Sequence, residues 1–341
     1  MKKALFIGGT GTISTAITRK VAKDGEWELW LLNRGNRSDI LPREVRTIHA
    51  DVSDEADVAH KLEGTEWDCV CDFIGFVPEQ VERDWRLFNG RTRQYMYISS
   101  ASAYQKPAMS PFIAEGTAMA NPYWQYSRDK IACEEFLMKK YREEGYPVTI
   151  IRPSHTYDDR TIPLSVHGPK GSWSVIKRMM EGKQVIVHGD GTSLWTVTHN
   201  SDFAKGFTGL MGNPHAIGNA FQITGDETLT WNQIYSIVAE ILGVEFKPYY
   251  VASEFLAEVG TQYDFLGNLI GDKSWSVLFD NSKLKRAVPG FQATVRAEQG
   301  FRSTLENILA HPSLQVEDPE FDAWTDRVID ALESAKRSLL Q

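Results

Sequence analysis

Lys2-Lys3-Ala4-Leu5-Phe6-Ile7-Gly8-Gly9-Thr10-Gly11-Thr12-Ile13-Ser14 opens the chain, and its reading decides the fold. A short apolar run feeds a glycine-rich turn, and the turn opens a helix-forming segment that reaches Lys23. Gly8 and Gly11 allow a tight turn and close approach to a pyrophosphate, whose charge then meets the free N–H groups and dipole of the helix. Ser14 stands where a third glycine is usual, and it is small enough for close helix–sheet packing. Gly8, Thr10, Gly11, Thr12 and Ile13 are therefore expected to line a bound dinucleotide.

Outward from this turn, short apolar runs alternate with helical segments, as repeated βα units of a parallel sheet require. Strands are expected at 4–7, 28–32, 47–50, 69–72, 94–98 and 148–151, with helices at 14–23, 55–62, 78–88 and 126–144. Each strand is nearly all apolar, the pattern of a sheet covered on both faces. Beyond Arg152 the texture changes: Pro163, Gly168, Pro169 and Gly171 punctuate a loop. A helix at 174–181 and a strand at 184–188 follow, then helices at 200–211, 230–242 and 297–309. The expected fold class is α/β, a Rossmann doubly wound parallel sheet with a smaller interleaved C-terminal α/β substrate lobe. Residues 1–160 form the dinucleotide-binding domain, 196–225 return to it, and 161–195 and 226–341 make the substrate lobe.

The ribose is read about 20 residues beyond the glycine turn. There the chain has Leu31-Leu32-Asn33-Arg34-Gly35-Asn36-Arg37, with no carboxylate to clasp a 2′-hydroxyl. Asn33 is neutral, while Arg34 and Arg37 suit a 2′-phosphate through charge-assisted hydrogen bonds. NADP is thus expected over NAD.

After the strand ending at Ile98 comes Ser99-Ser100-Ala101-Ser102-Ala103-Tyr104, and further on Tyr126-Ser127-Arg128-Asp129-Lys130. On a helix Tyr126 and Lys130 share one face. Hydride transfer at a carbinol carbon needs a proton moved at the adjacent oxygen, and a phenol with a pKa near 10 is a poor base at neutrality. A neighbouring ammonium stabilises the phenolate. Ser100, Tyr126 and Lys130 are the expected catalytic residues, with Ser100 holding the substrate oxygen.

Taken together, these motifs resemble the extended short-chain dehydrogenases, the NAD-dependent epimerase/dehydratase family, over nearly the whole chain. The resemblance selects Ser100 over Ser99, because Tyr104 follows it at the family's distance. It further implies that Asp51 and Val52 contact adenine, that Phe73, Ile74, Gly75 and Ser99 line the cofactor with Tyr126 and Lys130, and that Pro153 and Ser154 flank nicotinamide. Gly189-Asp190-Gly191, the 197–204 stretch and Asp280-Asn281-Ser282-Lys283 echo landmarks of the small lobe. Two positions depart from the family: Thr192-Ser193-Leu194-Trp195 replaces an arginine grip on the nucleotide, and His155 replaces an asparagine. His155 and Trp195 are accordingly the candidate substrate contacts, with the 161–173 loop as a cover and Lys170, Lys177 and Arg178 as cations near the ligand.

The implied activity is epimerisation or dehydration of a sugar or nucleotide sugar by a homodimer formed through the 78–88 and 126–144 helices. An NADPH-dependent carbonyl reductase is the nearest alternative. A rival of another class is a cofactor-binding regulatory or RNA-associated protein, since Cys71-Asp72-Phe73-Ile74-Gly75-Phe76 also resembles a subgroup that includes chloroplast stem-loop-binding proteins. With 37 basic and 45 acidic residues, a net charge of -8 disfavours general nucleic-acid coating. Three cysteines without paired spacing fit a reducing cytoplasm. No metal site and no membrane span are expected, because no HExxH or clustered histidine spacing and no long uncharged apolar run occurs.

Overall fold

A computed structural model describes residues 1–35 and 41–341. The chain divides into two compact units, one of residues 1–156, 198–226 and 279–294, the other of 157–197, 227–278 and 295–341. Residues 279–294, placed with the smaller lobe on sequence, fall in the first unit.

In the first unit the elements are β1 (Lys2–Ile7), α1 (Ser14–Asp24), β2 (Trp27–Asn33), β3 (Arg46–His49), α2 (Glu55–Lys61), β4 (Cys69–Asp72), α3 (Pro78–Phe88), β5 (Tyr95–Ile98), α4 (Gln125–Glu144), β6 (Val148–Pro153), α5 (Asn200–Leu210) and β7 (Asn219–Ile223). The strands make one seven-stranded sheet in the order β7-β6-β5-β4-β1-β2-β3, and each adjacent pair is parallel. The order reverses between β1 and β4, the switch point outside whose strand ends ligands of such sheets bind. One face of the sheet buries Phe6, Leu31 and Met96 with Ile17 and Val21 of α1 and Phe203 and Phe207 of α5. The other buries Leu5, Val70, Tyr95 and Tyr97 with Cys133 and Leu137 of α4. Each fully buried apolar side chain of this size contributes about 1.5–3 kcal/mol. Cys69, Cys71 and Cys133 are buried free thiols.

Sequence reading missed β7. Its run Asn219-Ala220-Phe221-Gln222-Ile223 places polar side chains at two of five positions, which hides a strand that pairs on one side only.

The second unit carries the helices Trp173–Met180, Trp231–Leu242, Ala297–Ala310 and Pro319–Leu339, and a parallel pair Val185–His188 with Pro248–Val251. Much of the 161–173 segment, expected as a cover, is buried, while Thr161, Pro169 and Lys170 are exposed. Ile162, Leu164 and Val166 are buried, Ser165 Oγ lies 2.9 Å from His188 Nδ1, and the Val166 N–H donates to the Tyr235 hydroxyl. Two of the three cations assigned to a ligand are engaged as well: Arg178 forks onto Asp322 and Asp326, and Lys177 binds Glu317, while Lys170 is exposed.

No helix among the described residues is long and apolar enough to cross a membrane. No cluster of three metal-ligating side chains occurs among them.

Candidate functional site

Where β1 ends, Gly8 and Gly9 take φ of 101° and 96°, a region open mainly to glycine. A Cβ on Gly9 would stand 2.6 Å from Leu31 Cδ2, so the turn must pass close over β2. Thr18 Oγ1 donates to the Gly9 carbonyl at 2.8 Å, and Ser14 Oγ accepts the Gly11 N–H at 2.8 Å. Ser14 thus ties down the turn by a hydrogen bond that a glycine would not supply.

This turn forms one wall of a groove of about 530 Å³ over the switch point. Of the expected cofactor residues, Gly8, Thr10, Gly11, Asn33, Arg34, Asp51, Val52, Phe73 and Ile74 line it. Gly9, Ser14, Leu32, Gly35 and Ala50 also line it without having been assigned there. Ile7 reaches its end against Leu32 and Asp72, so the neighbouring strand ends bring these loops together. Asn33 Oδ1 accepts the Gly35 N–H at 2.8 Å, which shapes the ribose-side rim. Asp51 accepts from Ser53 N–H and hydroxyl at 3.0 and 2.7 Å. These bonds hold its carboxyl below the ordinary value, with Arg34 adding to the effect. Arg37 lies outside the described residues.

Thr12, Ile13, Gly75, Ser99, Tyr126, Lys130, Pro153 and Ser154 do not line this groove. The Thr12 carbonyl accepts Asn200 Nδ2 at 2.9 Å, and Ile13 is the residue preceding α1. Pro153 closes β6, Ser154 follows it, and half-buried His155 begins a short strand. Trp195 is a buried residue of the second unit, stacked on Trp231 with ring centroids 5.4 Å apart.

Tyr126 and Lys130 sit on the first turns of α4, one helical turn apart. Lys130 Nζ donates to the carbonyls of Gly75 at 2.6 Å and Ile98 at 2.7 Å, spanning the ends of β4 and β5. It also lies over the rings of Phe76, Tyr97 and Tyr126 at 4.8, 4.9 and 5.7 Å. Such rings attract a cation. Burial nevertheless pulls its ammonium down to about 8, against the opposing pull of Asp72, Cys133 and Glu134. Ser100 Oγ, just past β5, accepts the Ser102 N–H at 3.2 Å and lies 2.9 Å from Ser102 Oγ. Ser127, next to Tyr126, donates to that same Ser102 hydroxyl at 2.8 Å. A chain of three hydroxyls therefore joins the Ser100 loop to the start of α4.

Sequence reasoning missed the groups that brace these elements. Glu134, one turn beyond Lys130, accepts Ser99 Oγ at 2.5 Å and both Nε and a terminal nitrogen of Arg152 at 2.9 and 2.6 Å. Arg152 lies beneath the Pro153-Ser154 segment in sequence and over the Tyr104 ring at 5.0 Å. Burial opposes its charge, yet the Glu134 hydrogen bonds outweigh that and hold the guanidinium above its ordinary value. The spacing 126, 130, 134 on one helix face was the available signal.

The model of the NAD dependent epimerase/dehydratase family matches residues 4–224. The chain belongs to that family. The matched residues 4–224 hold the glycine turn, the switch-point groove and the Tyr126-Lys130 helix.

Among relatives, it is 29% identical over 256 residues to the chloroplast stem-loop binding protein of 41 kDa b of Arabidopsis thaliana, covering 71% of this chain and 64% of that one. The match therefore spans less than two thirds of that relative's length. It is 23% identical over 273 residues to the uncharacterized UDP-glucose epimerase YtcB of Bacillus subtilis, covering 71% and 82%. A solved UDP-glucuronic acid 4-epimerase from Bacillus cereus, in complex with UDP-glucuronic acid and NAD, superposes with a TM-score of 0.71 at 18% identity over 90% of this chain and 99% of that one. A dTDP-glucose 4,6-dehydratase from Bacillus anthracis, in complex with NAD, gives 0.72 at 15% over 92% and 98%. At these identities the two structural likenesses show the epimerase-type Rossmann fold.

Proposed function

We propose that this protein epimerises or dehydrates a nucleotide-linked sugar through transient oxidation by a retained NAD. The observation that carries the reading is Lys130: a buried ammonium held by the Gly75 and Ile98 carbonyls, one helical turn from Tyr126 and beside the Ser100 loop. The groove fits a dinucleotide because Gly8 carries no side chain where a Cβ would stand 3.2 Å from Ile74 and 3.6 Å from Phe73 of the opposite wall, and Gly9 lets the turn pass close over β2. Gly8, Thr10 and Gly11 would cradle the pyrophosphate, and Asp51 and Val52 would meet the adenine. When bound, the dinucleotide supplies the hydride acceptor.

This chain's residues then supply the proton chemistry. Ser100 orients the substrate oxygen, and Tyr126 removes its proton and later returns it. Lys130 stabilises the Tyr126 phenolate by its charge. Relatives named as UDP-glucose epimerases support a nucleotide-linked sugar as the substrate.

The NADP preference expected from Arg34 and Arg37 gives way to NAD. The structural neighbours hold NAD, and the Asp51 carboxyl in the same groove offsets Arg34. NAD is expected to bind at least about tenfold more tightly than NADP in calorimetric titration of cofactor-stripped protein, a difference of about 1.4 kcal/mol. Tighter NADP binding, lost in Arg34→Ala, would restore the reductase reading.

Lys130 also sets a pH dependence. Its ammonium is lost above pH about 8, so kcat/KM is expected to fall with an alkaline limb near that value. A profile flat up to the ordinary lysine range, about 10, would remove the Lys130 charge from the reaction. Binding of the sugar nucleotide is tested by thermal shift with NAD present. Uridine or thymidine diphosphate is expected to raise the Tm, since a ligand of the folded state stabilises it. No shift with either, but a shift with a simple carbonyl compound, would overturn the nucleotide-sugar assignment.

A further inference from the structure

Asp72 takes no part in the chemistry above, yet its carboxyl at the end of β4 is fully buried. A buried carboxylate is tolerated only when paired or hydrogen-bonded. Its Oδ1 accepts the N–H groups of Ile74 and Gly75 at 2.8 and 3.0 Å. On the other side the Tyr95 hydroxyl sits between two carboxyls, 3.3 Å from Asp72 Oδ2 and 2.9 Å from Asp84 Oδ2. Arg83 closes the far end by forking onto Asp84 Oδ1 at 2.8 and 2.6 Å. The result is a continuous polar spine from α3 through β5 to the loop after β4.

That loop touches both halves of the candidate site. Ile74 lines the dinucleotide groove, and the Gly75 carbonyl accepts Lys130 Nζ at 2.6 Å. The turn closes so tightly on Asp72 that a Cβ at Gly75 would stand 2.1 Å from Asp72 Oδ2 and 3.2 Å from the Tyr97 ring. Glycine is required here by space, its φ being ordinary.

We propose that Asp72 is the positioning residue for Lys130, fixing the Ile74-Gly75 turn so that its carbonyl grips the ammonium and setting a negative charge near it. The groups facing Lys130 are Asp72 from β4, Tyr97 from β5, and Tyr126, Cys133 and Glu134 from its own helix. Among those that oppose the downward pull of burial on Lys130, Asp72 acts most strongly. Behind Asp72, burial holds the Asp84 carboxyl well above the usual carboxylate range, Asp72 adds to this, and Arg83 and Tyr95 counter it. The spine thus places a second acid, braced by its own guanidinium, against the far side of Asp72.

This assignment rests on the Tyr126-Lys130 chemistry proposed above, so its test uses a readout independent of turnover. In protein carrying isotope-labelled lysine, the Lys130 side-chain resonance is identified by its loss in Lys130→Arg and titrated by NMR. In Asp72→Asn, whose amide oxygen still accepts the turn's N–H groups, the Lys130 midpoint is expected to fall by about one pH unit. The alkaline limb of kcat should fall with it, while KM stays close to that of the parent. Gly75→Ala keeps the Asp72 charge but displaces the turn, and it too is expected to lower the midpoint; it decides the matter if Asp72→Asn does not fold. An unchanged Lys130 midpoint in the folded variants overturns the proposal, whether or not the protein converts a nucleotide sugar. A lowered midpoint with an unmoved kcat profile upholds Asp72 as positioning residue and counts instead against Lys130 in the reaction.

Discussion

Replacing Tyr126 with Phe is expected to lower kcat by about 10²- to 10⁴-fold while leaving NAD affinity close to that of the parent, the range of a lost general acid–base group. The change removes one oxygen and keeps the ring that stands 4.9 Å from Trp124 and 6.5 Å from Phe76. Local packing therefore survives, and Lys130 retains its two carbonyl partners. Loss of kcat with KM nearly constant is the signature of an interaction made only in the transition state. Single-turnover kinetics on the bound cofactor separates this from slow product release. Turnover within about twofold of the parent would take Tyr126 out of the mechanism, since even a modest acid–base contribution exceeds that.

The second large effect is on stability. Glu134→Leu leaves Arg152, 5% exposed, without its carboxylate, its remaining neighbours being the Glu115 carbonyl at 3.1 Å, the Met119 sulfur at 3.0 Å and the Tyr104 ring at 5.0 Å. Breaking a buried ion pair by removing one partner costs about 3–5 kcal/mol, because the remaining charge is neither solvated nor paired. Ser99 loses its acceptor in the same step. Denaturant unfolding is expected to show a lower midpoint with an unchanged slope, and Glu134→Gln, which keeps acceptor and shape, a smaller loss. A cost under about 1 kcal/mol for the leucine variant would be that of a surface pair. It would mean that water or a rearranged Tyr104 accommodates the guanidinium.

Much of the fold was legible because its determinants are local. The sequence Ile7-Gly8-Gly9-Thr10-Gly11 carries its conformation in residue type, and Pro78 through Phe88 announces a helix by a proline at its first position and apolar spacing. Where pairing across the sheet decides, local reading failed, as for β7 with its Asn219 and Gln222. The helix Pro319–Leu339 had a readable start in Asp318-Pro319 and an apolar stripe through Phe321, Trp324, Val328 and Ile329, yet was overlooked. In the candidate site, residues with distinctive chemistry were found: the glycines, Tyr126 and Lys130. Asp72, Glu134 and Arg152 were not assigned, because a single charged residue in a strand or helix reads as a surface position until its partners are known. The sign at Asp72 was its place at the end of the wholly apolar Cys69-Val70-Cys71, in a strand buried throughout. Trp195, given a ligand role on sequence, is buried and stacked on Trp231.

The most direct test of the account mixes the purified protein, with no cofactor added, with UDP-glucose, UDP-glucuronic acid and dTDP-glucose in turn, following sugar conversion by NMR and reduced nicotinamide by absorbance. One of them is expected to be isomerised or dehydrated over many turnovers, with a transient reduced signal no larger than one equivalent of protein and no net cofactor consumption. Conversion of none of them, together with stoichiometric consumption of added NADPH by a carbonyl compound, would contradict that expectation.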